Sequence, residues 1–166
     1  MQIPKEYKIQ RMKIVILTSI LLVVSTYSFA QNEVVVEVPK GTSKIILTND
    51  LNKEENFKHV IDILLEQSHF IASKDSEFGT IKTEARPIKG LDCLYYFSIR
   101  IKDQTIIISG SFKLNMNISL GMVESTGEYT DIANKGMKGS PFRKSFEIMH
   151  EFSKKLKYSQ VKYEPL

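Results

Sequence analysis

The sequence predicts an α+β fold, in which an antiparallel sheet of about four to six strands carries two amphipathic helices on one face. Three observations lead to this class. Two segments repeat apolar residues at helical spacing, several others alternate apolar and polar residues, and the order is strand, helix, strands, helix. Because each helix has an apolar stripe to bury, a sheet with one apolar face completes a two-layer core.

The first helix is predicted at residues 52–68, after short strands at 34–38 and 44–48. Asn52 and Glu55 have the three-residue spacing of a capping box, in which each side chain covers a free backbone N–H of the other residue. The apolar stripe that follows recurs at three- and four-residue steps and consists of Phe57, Val60, Ile61, Leu64 and Leu65.

The central strands are predicted at residues 70–73, 80–86, 93–102, 105–114 and 116–123. Segment 93–102 alternates most clearly, with an apolar set that begins at Tyr95 and Phe97. The other face of the sheet is expected to be exposed, and it is predicted to carry Tyr96, Arg100, Lys102 and Lys113, with Lys82 and Arg86 as further members.

The second helix is predicted to begin at Ser140-Pro141, since a capping hydroxyl followed by proline is a typical helix start. Segment 124–139 before it contains three glycines, fits no period and is predicted to be a long loop. Val161 and Tyr163 indicate a short final strand. The stripe of the second helix is Phe142, Phe146, Met149, Phe152 and Leu156.

Residues 1–30 are predicted to be a secretory signal peptide, cleaved between Ala30 and Gln31. A basic stretch precedes the apolar core 14–24, and small residues follow at Ser28 and Ala30. The core is shorter than the about 20 apolar residues that span a bilayer, so an uncleaved anchor is the less favoured alternative. The protein is therefore expected to be exported, to the periplasm or the medium. Residues 31–43 would be an extension or short strand, and 44–166 one domain.

The net charge of +4 depends mostly on the predicted leader. Removal of residues 1–30 leaves 19 basic and 18 acidic residues, a net charge of +1. A basic protein attracts nucleic acid through its overall charge, and this argument fails for the mature chain. No nucleic-acid partner is predicted.

The residues that could perform chemistry form no recognisable catalytic or metal motif. Cys93 is the one cysteine of the sequence, so no intramolecular disulfide is possible, and it is expected to be a buried, inert thiol. The histidines have no i, i+4 spacing and are expected to be structural or at the surface. The sequence predicts no catalytic residues, no metal, no cofactor and no enzyme activity. The histidines are His59, His69 and His150.

Two further patterns have ordinary structural interpretations. The carboxylate pairs Glu54/Glu55 and Asp75/Glu77 lie at a predicted helix start and a predicted turn. Gly136 and Gly139 before Ser140-Pro141 could belong to an anion-binding loop, but without a preceding parallel strand or a P-loop Lys-Ser/Thr a flexible loop with a helix cap is favoured.

The chain resembles exported bacterial domains of unknown function with a TBP-like fold, and more distantly the helix-grip domains of outer-membrane assembly lipoproteins of the BamC type. The resemblance covers most of residues 44–163 and depends on the stretches "FKHVIDILLEQSHF", "SKDSEFGTIKTEARP", "YYFSIRIKDQTIIISGSFK" and "SPFRKSFEIMHEFSKKLKY". It implies an α+β fold and no catalytic residues. Unlike the BamC-type lipoproteins, the chain has no cysteine near the predicted cleavage point.

The sequence therefore favours an exported, non-enzymatic domain that binds a protein partner in the cell envelope. The exposed sheet face, with Tyr96, Arg100, Lys102 and Lys113, and the loop 124–139 are the candidate partner-binding surfaces. The alternative is a carrier of a small apolar ligand in a cavity between helices and sheet. Its adaptable lining would be Met116, Met122, Met137 and Met149. After leader cleavage no stable membrane span is expected.

Overall fold

The computed structural model describes residues 37–115 and 127–165. The predicted leader, the strand predicted at 116–123 and the first residues of the loop 124–139 lie outside this range, as does most of the strand predicted at 34–38. Residues Val38–Leu166 form one compact unit. No described helix is both long and apolar enough to cross a membrane.

The described residues form two helices and one antiparallel sheet of eight strands, which confirms the predicted α+β class. The order across the sheet is β2-β3-β5-β6-β1-β8, while β4 pairs with β5 and β7 pairs with β6. The elements are β1 (Thr42–Thr48), α1 (Lys53–Glu66), β2 (Ile71–Asp75), β3 (Thr80–Thr83), β4 (Arg86–Pro87), β5 (Cys93–Lys102), β6 (Thr105–Leu114), β7 (Thr130–Asp131), α2 (Pro141–Ser153) and β8 (Gln160–Pro165).

The β5–β6 hairpin is the centre of the sheet. Its two ten-residue strands pair without interruption from Cys93 and Leu114 to Lys102 and Thr105. The chain reverses at Asp103-Gln104, and Gln104 adopts the left-handed conformation that tight hairpin turns require. Alternate residues of both strands are buried, so one face of the hairpin belongs to the core.

Both helices pack on that one face of the sheet. Their buried side chains join the inward-facing residues of β1, β3, β5 and β6 in one apolar cluster. From α1 the cluster takes Val60 and Leu64, and from α2 it takes Phe146, Met149 and Phe152. The opposite face, which we call the outer face, carries no described helix.

Both predicted helix starts are confirmed. The Asn52 side chain accepts a hydrogen bond from the Glu55 backbone N–H at 3.0 Å, and the Glu55 carboxylate accepts one from the Asn52 N–H at 3.0 Å. Ser140 accepts from the Arg143 N–H at 3.3 Å, with Pro141 at the first helical position. Local capping chemistry therefore sets where each helix begins.

The apolar stripe predicted for α1 is partly wrong. Leu65 is 51% exposed, whereas the polar residue Asn56 is fully buried. Asn56 faces the core because Asn49 supplies its hydrogen-bond partners: the two amides exchange bonds at 2.7 and 3.1 Å. A buried amide with a complete set of partners can replace an apolar side chain without a large loss of stability.

The single strand predicted at 80–86 is split into β3 and β4. At the break, the hydroxyl of Thr83 accepts the backbone N–H of Phe97 at 2.9 Å. The N–H of Glu84 donates to the Phe70 carbonyl at 2.8 Å. These two bonds replace regular ladder pairing, and Ala85, predicted to face inward, is exposed.

Part of the predicted loop 124–139 belongs to the sheet. Thr130 and Asp131 pair with β6, and Ile132, Ala133 and Asn134 are buried. Gly110 of β6 makes room for this segment, since a Cβ at that position would lie 2.9 Å from the Ile132 Cδ1 atom. The sequence did not predict β7, because this strand has only two residues and shows no alternation of apolar and polar side chains.

Candidate functional site

The outer face contains all four residues predicted to bind a partner. Tyr96, Arg100 and Lys102 alternate with the buried residues of β5, and Lys113 alternates with those of β6. They do not form one contiguous patch, because Lys102 ends its strand whereas Tyr96 pairs with Ser111 near the other end of the hairpin. Arg86 was predicted on this face but donates to the Gln67 carbonyl after α1, at 3.0 Å, and therefore lies on the helix side.

Tyr96 and Lys113 belong to a cluster of two tyrosines and two lysines. The Tyr96 and Tyr129 rings meet edge to face with 4.9 Å between centroids. The Lys82 ammonium lies 4.3 Å from the Tyr96 ring centroid, and that of Lys113 lies 5.2 Å from the Tyr129 centroid. Each such cation–π contact contributes about 0.5 to 1 kcal/mol at an exposed site. We call Lys82, Tyr96, Lys113 and Tyr129 the tyrosine–lysine cluster.

A depression of about 480 Å³ lies beside this cluster. We call it the outer groove. Short hydroxyl side chains of the central strands form much of its floor, and longer basic side chains flank them. Its lining residues are Lys44, Ile46, Ser73, Thr80, Ile81, Lys82, Ser98, Ile99, Arg100, Ile107, Ser109 and Glu164.

A smaller depression of about 180 Å³ continues the outer groove toward β7. It shares Lys44, Ser98 and Ser109 with the outer groove, and it reaches Ser111 and Asp131. The Ser111 hydroxyl contacts the Asp131 carboxylate at 3.3 Å. The concave region therefore crosses several strands of the outer face.

The outer face has an excess of uncompensated positive charge. In the part of the chain that the structure describes, its cations Lys44, Lys82, Arg100, Lys102 and Lys113 take part in no ion pair. Of the acidic side chains there, Glu164 is bound by Lys162 at 2.8 Å. This hydrogen bond is the main reason that the pKa of Glu164 is lowered. Glu164 also lies opposite Lys44 in the β1–β8 pairing and lines the outer groove with it, so Lys82, Arg100, Lys102 and Lys113 are the cations of this face that an acidic partner would meet with the least competition.

A second depression, of about 290 Å³, lies in the helical layer. We call it the helix groove. Its polar rim comes from both ends of the α2 surface, and its floor includes Ile148, Phe152 and His69. Gln67, Lys144, Glu147, Glu151 and Lys155 complete the lining. Because most of these residues are exposed, the helix groove is a feature of the surface and not an internal cavity.

His69 is the most buried histidine, and the sequence predicted no functional role for it. It is 4% exposed, and its Nδ1 atom has no hydrogen-bond partner within the described residues. Its ring packs against Phe97, with 4.9 Å between centroids, and also against Phe152 and Tyr95. Burial, with a smaller contribution from the Arg86 guanidinium, lowers the pKa of His69 to about 4.

The other two histidines occupy separate environments. His59 Nε2 accepts the backbone N–H of Lys157 at 3.2 Å, and His150 Nε2 lies 3.1 Å from the Tyr163 hydroxyl. Burial is the largest cause of a lowered pKa for both. Each histidine of the described chain thus joins one structural element to another.

The remaining candidate groups also have structural partners. Cys93 is 1% exposed, and burial raises the pKa of its thiol. The Asp75 carboxylate accepts the Phe78 N–H at 2.9 Å within the β2–β3 turn. Across residues 37–115 and 127–165, no three His, Cys, Asp or Glu side chains are grouped so that they could hold a metal ion.

The methionines predicted to line a ligand cavity are not brought together where they are described. Met149 is fully buried in the core, whereas Met137 is 83% exposed. Met116 and Met122 lie outside the described residues. The described methionines therefore line neither the outer groove nor the helix groove.

Sequence reasoning missed Lys44, Ile46, Ser98 and Ser109 as groove residues. The alternation of segment 93–102 places Ser98 on the same face as Tyr96 and Arg100, so Ser98 could have been predicted from the sequence. Lys44 and Ile46 could not be placed, because β1 reaches β6 through a long-range pairing that the local pattern does not reveal.

No protein-family model matches this sequence, and no curated protein matches it either. The resemblance to TBP-like and BamC-type domains therefore stays a prediction. What the structure defines is the class: an α+β domain with helices on one face of an antiparallel sheet and a basic, grooved face opposite them.

Proposed function

We propose that this protein is an exported, non-enzymatic domain that binds an acidic protein partner in the cell envelope through its outer face. The observation that carries the proposal is the set of five cations without ion-pair partners in the described chain, on a face without a described helix, where two of the cations lie against two tyrosines. Tyrosine and arginine are enriched in protein interfaces, and basic side chains there select acidic partners.

A protein partner accounts for these features better than nucleic acid does. The predicted mature chain has a net charge of only +1, and nucleic-acid binding depends mainly on a large positive field. Asp131 and Glu164 also lie beside the outer-face depressions, where they would repel a dense polyanion. A polypeptide has few carboxylates and can place them between Asp131 and Glu164.

The test is affinity capture from an envelope fraction with the tagged chain 31–166. The Arg100→Glu/Lys113→Glu variant reverses two charges on the outer face, and Lys58→Glu/Lys89→Glu makes the same charge change at exposed positions elsewhere. We expect one captured protein to be lost with the outer-face variant and retained with the control. Equal capture by both variants would exclude the outer face as the binding surface.

Export has a separate test. Mass spectrometry of the protein recovered from the envelope or medium should give an N-terminus at Gln31, as expected for cleavage after Ala30. An intact N-terminal segment on the recovered protein would point to an anchored form instead.

A small-ligand carrier is the second proposal, and the helix groove favours it. Its volume of about 290 Å³ lies just below the range for ligand pockets, which starts at about 300 Å³. Native mass spectrometry of the purified chain would show a co-purifying small molecule that the Ile148→Glu variant loses. Such a molecule, recovered without a captured protein, would replace the first proposal by the second.

A further inference from the structure

Two lysines flank two serines in one row across the outer face. Strand pairing places Lys82 opposite Ser98, and Ser98 opposite Ser109. One strand further, Lys44 lies next to Ser109 in the lining of both outer-face depressions. Neighbouring strands are about 4.8 Å apart, so the two lysine backbones are about 14 Å apart with a floor of short side chains between them.

One hydroxyl group on this floor, that of Ser98, is available to donate to a ligand. The Ser109 hydroxyl donates to the Ser98 carbonyl at 3.0 Å, and the Ser98 hydroxyl makes no hydrogen bond within the described residues. Arg100 follows two positions after Ser98 on the same face and lines the same groove. Three cations and one carboxylate, that of Glu164 opposite Lys44, therefore line a groove with an available hydroxyl donor. The excess of positive charge makes it a suitable setting for a carboxylate of a ligand.

The next row supplies an apolar surface. Arg100 pairs with Ile107, and Ile107 pairs with Ile46, so two isoleucines lie side by side on the outer face. Both are partly buried and both line the outer groove. The two rows are two residues apart along each strand, a distance of about 6.7 Å.

We propose that the outer groove recognises an extended peptide segment in which an acidic residue and an apolar residue are two positions apart. This inference rests on the proposed function and names the partner's binding element. The acidic side chain occupies the site between Lys44, Lys82 and Arg100, and the apolar side chain packs on Ile46 and Ile107. Alternate side chains of an extended peptide have the same spacing of about 6.7 Å as the two rows, so one segment running along the strands reaches both.

The test is a titration of isotope-labelled chain 31–166 with synthetic ten-residue peptides, followed by NMR. The probe peptide contains Glu-Thr-Ile within Gly and Thr residues. Its controls contain Gln-Thr-Ile, which removes the charge, and Glu-Ile-Thr, which changes the spacing. We expect the probe to shift the amide signals of Ser98, Arg100, Ile107 and Ser109, and to bind about tenfold more tightly than either control.

Substitutions in the protein test the same site with the peptide kept constant. Lys44→Gln/Lys82→Gln should weaken probe binding about tenfold, whereas the exposed control pair Lys58→Gln/Lys89→Gln should leave it unchanged. Ser109→Asp places a carboxylate on the floor and should abolish binding. A correctly folded Ser109→Asp variant that binds the probe normally would overturn the proposal.

The outcomes separate this inference from the proposed function. Equal binding of the Glu and Gln peptides overturns the anion site, even where the captured partner still depends on Arg100 and Lys113. Tighter binding of a single-stranded oligonucleotide or of inorganic phosphate than of the probe overturns the choice of a peptide ligand. If capture of the protein partner does not depend on the outer face, the proposed function itself is overturned.

Discussion

His69 shows how one residue can connect packing with pH. Its ring is enclosed by aromatic side chains, and its Nδ1 atom has no partner among the described residues. In the folded protein the ring stays neutral until the pH approaches 4, whereas in the unfolded chain it takes up a proton near pH 6.5. Because the folded-state pKa of His69 is lowered, the neutral ring contributes its full stability above about pH 6.5. This contribution is lost as the pH falls toward 4.

We therefore expect the free energy of unfolding to fall between about pH 6.5 and pH 4, by roughly 3 kcal/mol for His69 alone. Below pH 6.5 the unfolded state binds the additional proton, which is the reason for the loss. Denaturant titrations at several pH values would measure it, with His69→Phe expected to flatten the dependence. His59→Asn, at a less buried histidine, is the control and should keep most of the slope. A His69→Phe profile as steep as the wild-type profile would contradict this prediction.

Asn56 is the second residue whose effect depends on its surroundings. Replacement by alanine leaves the buried Asn49 amide and the Leu51 carbonyl without the partners that they have at 2.7 to 3.1 Å. We expect a loss of about 2 to 4 kcal/mol in unfolding free energy, against at most about 0.5 kcal/mol for the exposed control Lys58→Ala. Chemical denaturation measures both. Additive effects of Asn49→Ala and Asn56→Ala in a double-mutant cycle would argue against a coupled pair.

At the scale of elements, the β2–β3 turn depends on Gly79. Its backbone has a φ of 65°, and a Cβ there would overlap the carbonyl oxygen of Ile101. That carbonyl cannot move freely, because the Ile101 N–H donates to the Gly79 carbonyl at 2.6 Å. The turn and the end of β5 therefore approach each other more closely than any side chain allows.

Gly79→Ala should destabilise the protein by about 3 kcal/mol, of which about 1 kcal/mol reflects the left-handed backbone and the remainder the overlap. Gly90 is the matched control, since it has a φ of 81° but open space around its Cβ position. Gly90→Ala should cost only about 1 kcal/mol. Thermal or denaturant unfolding of both variants gives the comparison, and equal losses would show that the contact with Ile101 does not matter.

The elements that could be predicted from the sequence are those set by local pattern. The β5–β6 hairpin follows from alternation alone, and both helices begin at their capping residues because the cap uses groups only three positions apart. β7 could not be predicted, since its two residues pair with a strand far away in the sequence, at a place where Gly110 leaves room for Ile132. Long-range steric fit leaves no period in the sequence.

The candidate site was predictable to a similar extent. Tyr96, Arg100, Lys102 and Lys113 lie on the outer face, as the alternation of the two strands indicates. The groove itself was not predictable, because its lysines and serines meet through the order of strands β3, β5, β6 and β1. That order depends on packing across the whole domain.

At the scale of the whole molecule, one face of the sheet holds the core, and the opposite face is the one that we propose binds a partner. The helix-covered face buries the apolar cluster, and the outer face carries the unpaired cations. Substitutions on the outer face should therefore change binding with little change in stability. This separation is the reason that charge-reversal variants are suitable tests of the proposed function.

Cys93 gives a direct measurement of how the whole domain opens. Its thiol is 1% exposed at the start of the central hairpin, so we expect modification by a thiol reagent to require global unfolding. The modification rate should be very low in native buffer and should rise with denaturant in parallel with the unfolding equilibrium. Rapid labelling of the native protein would mean that this end of the hairpin opens locally.

The position of β1 between β6 and β8 makes completion of the domain a late event. The first described strand of the chain pairs with the last, from Thr42 and Pro165 to Thr48 and Gln160. A growing chain can form the β5–β6 hairpin early, but it cannot cover the free edge of β1 until its final residues have left the ribosome. For the export that we propose, this order of pairing would leave the sheet incomplete until synthesis ends, so a precursor that engages the export machinery during synthesis would not yet have closed its fold.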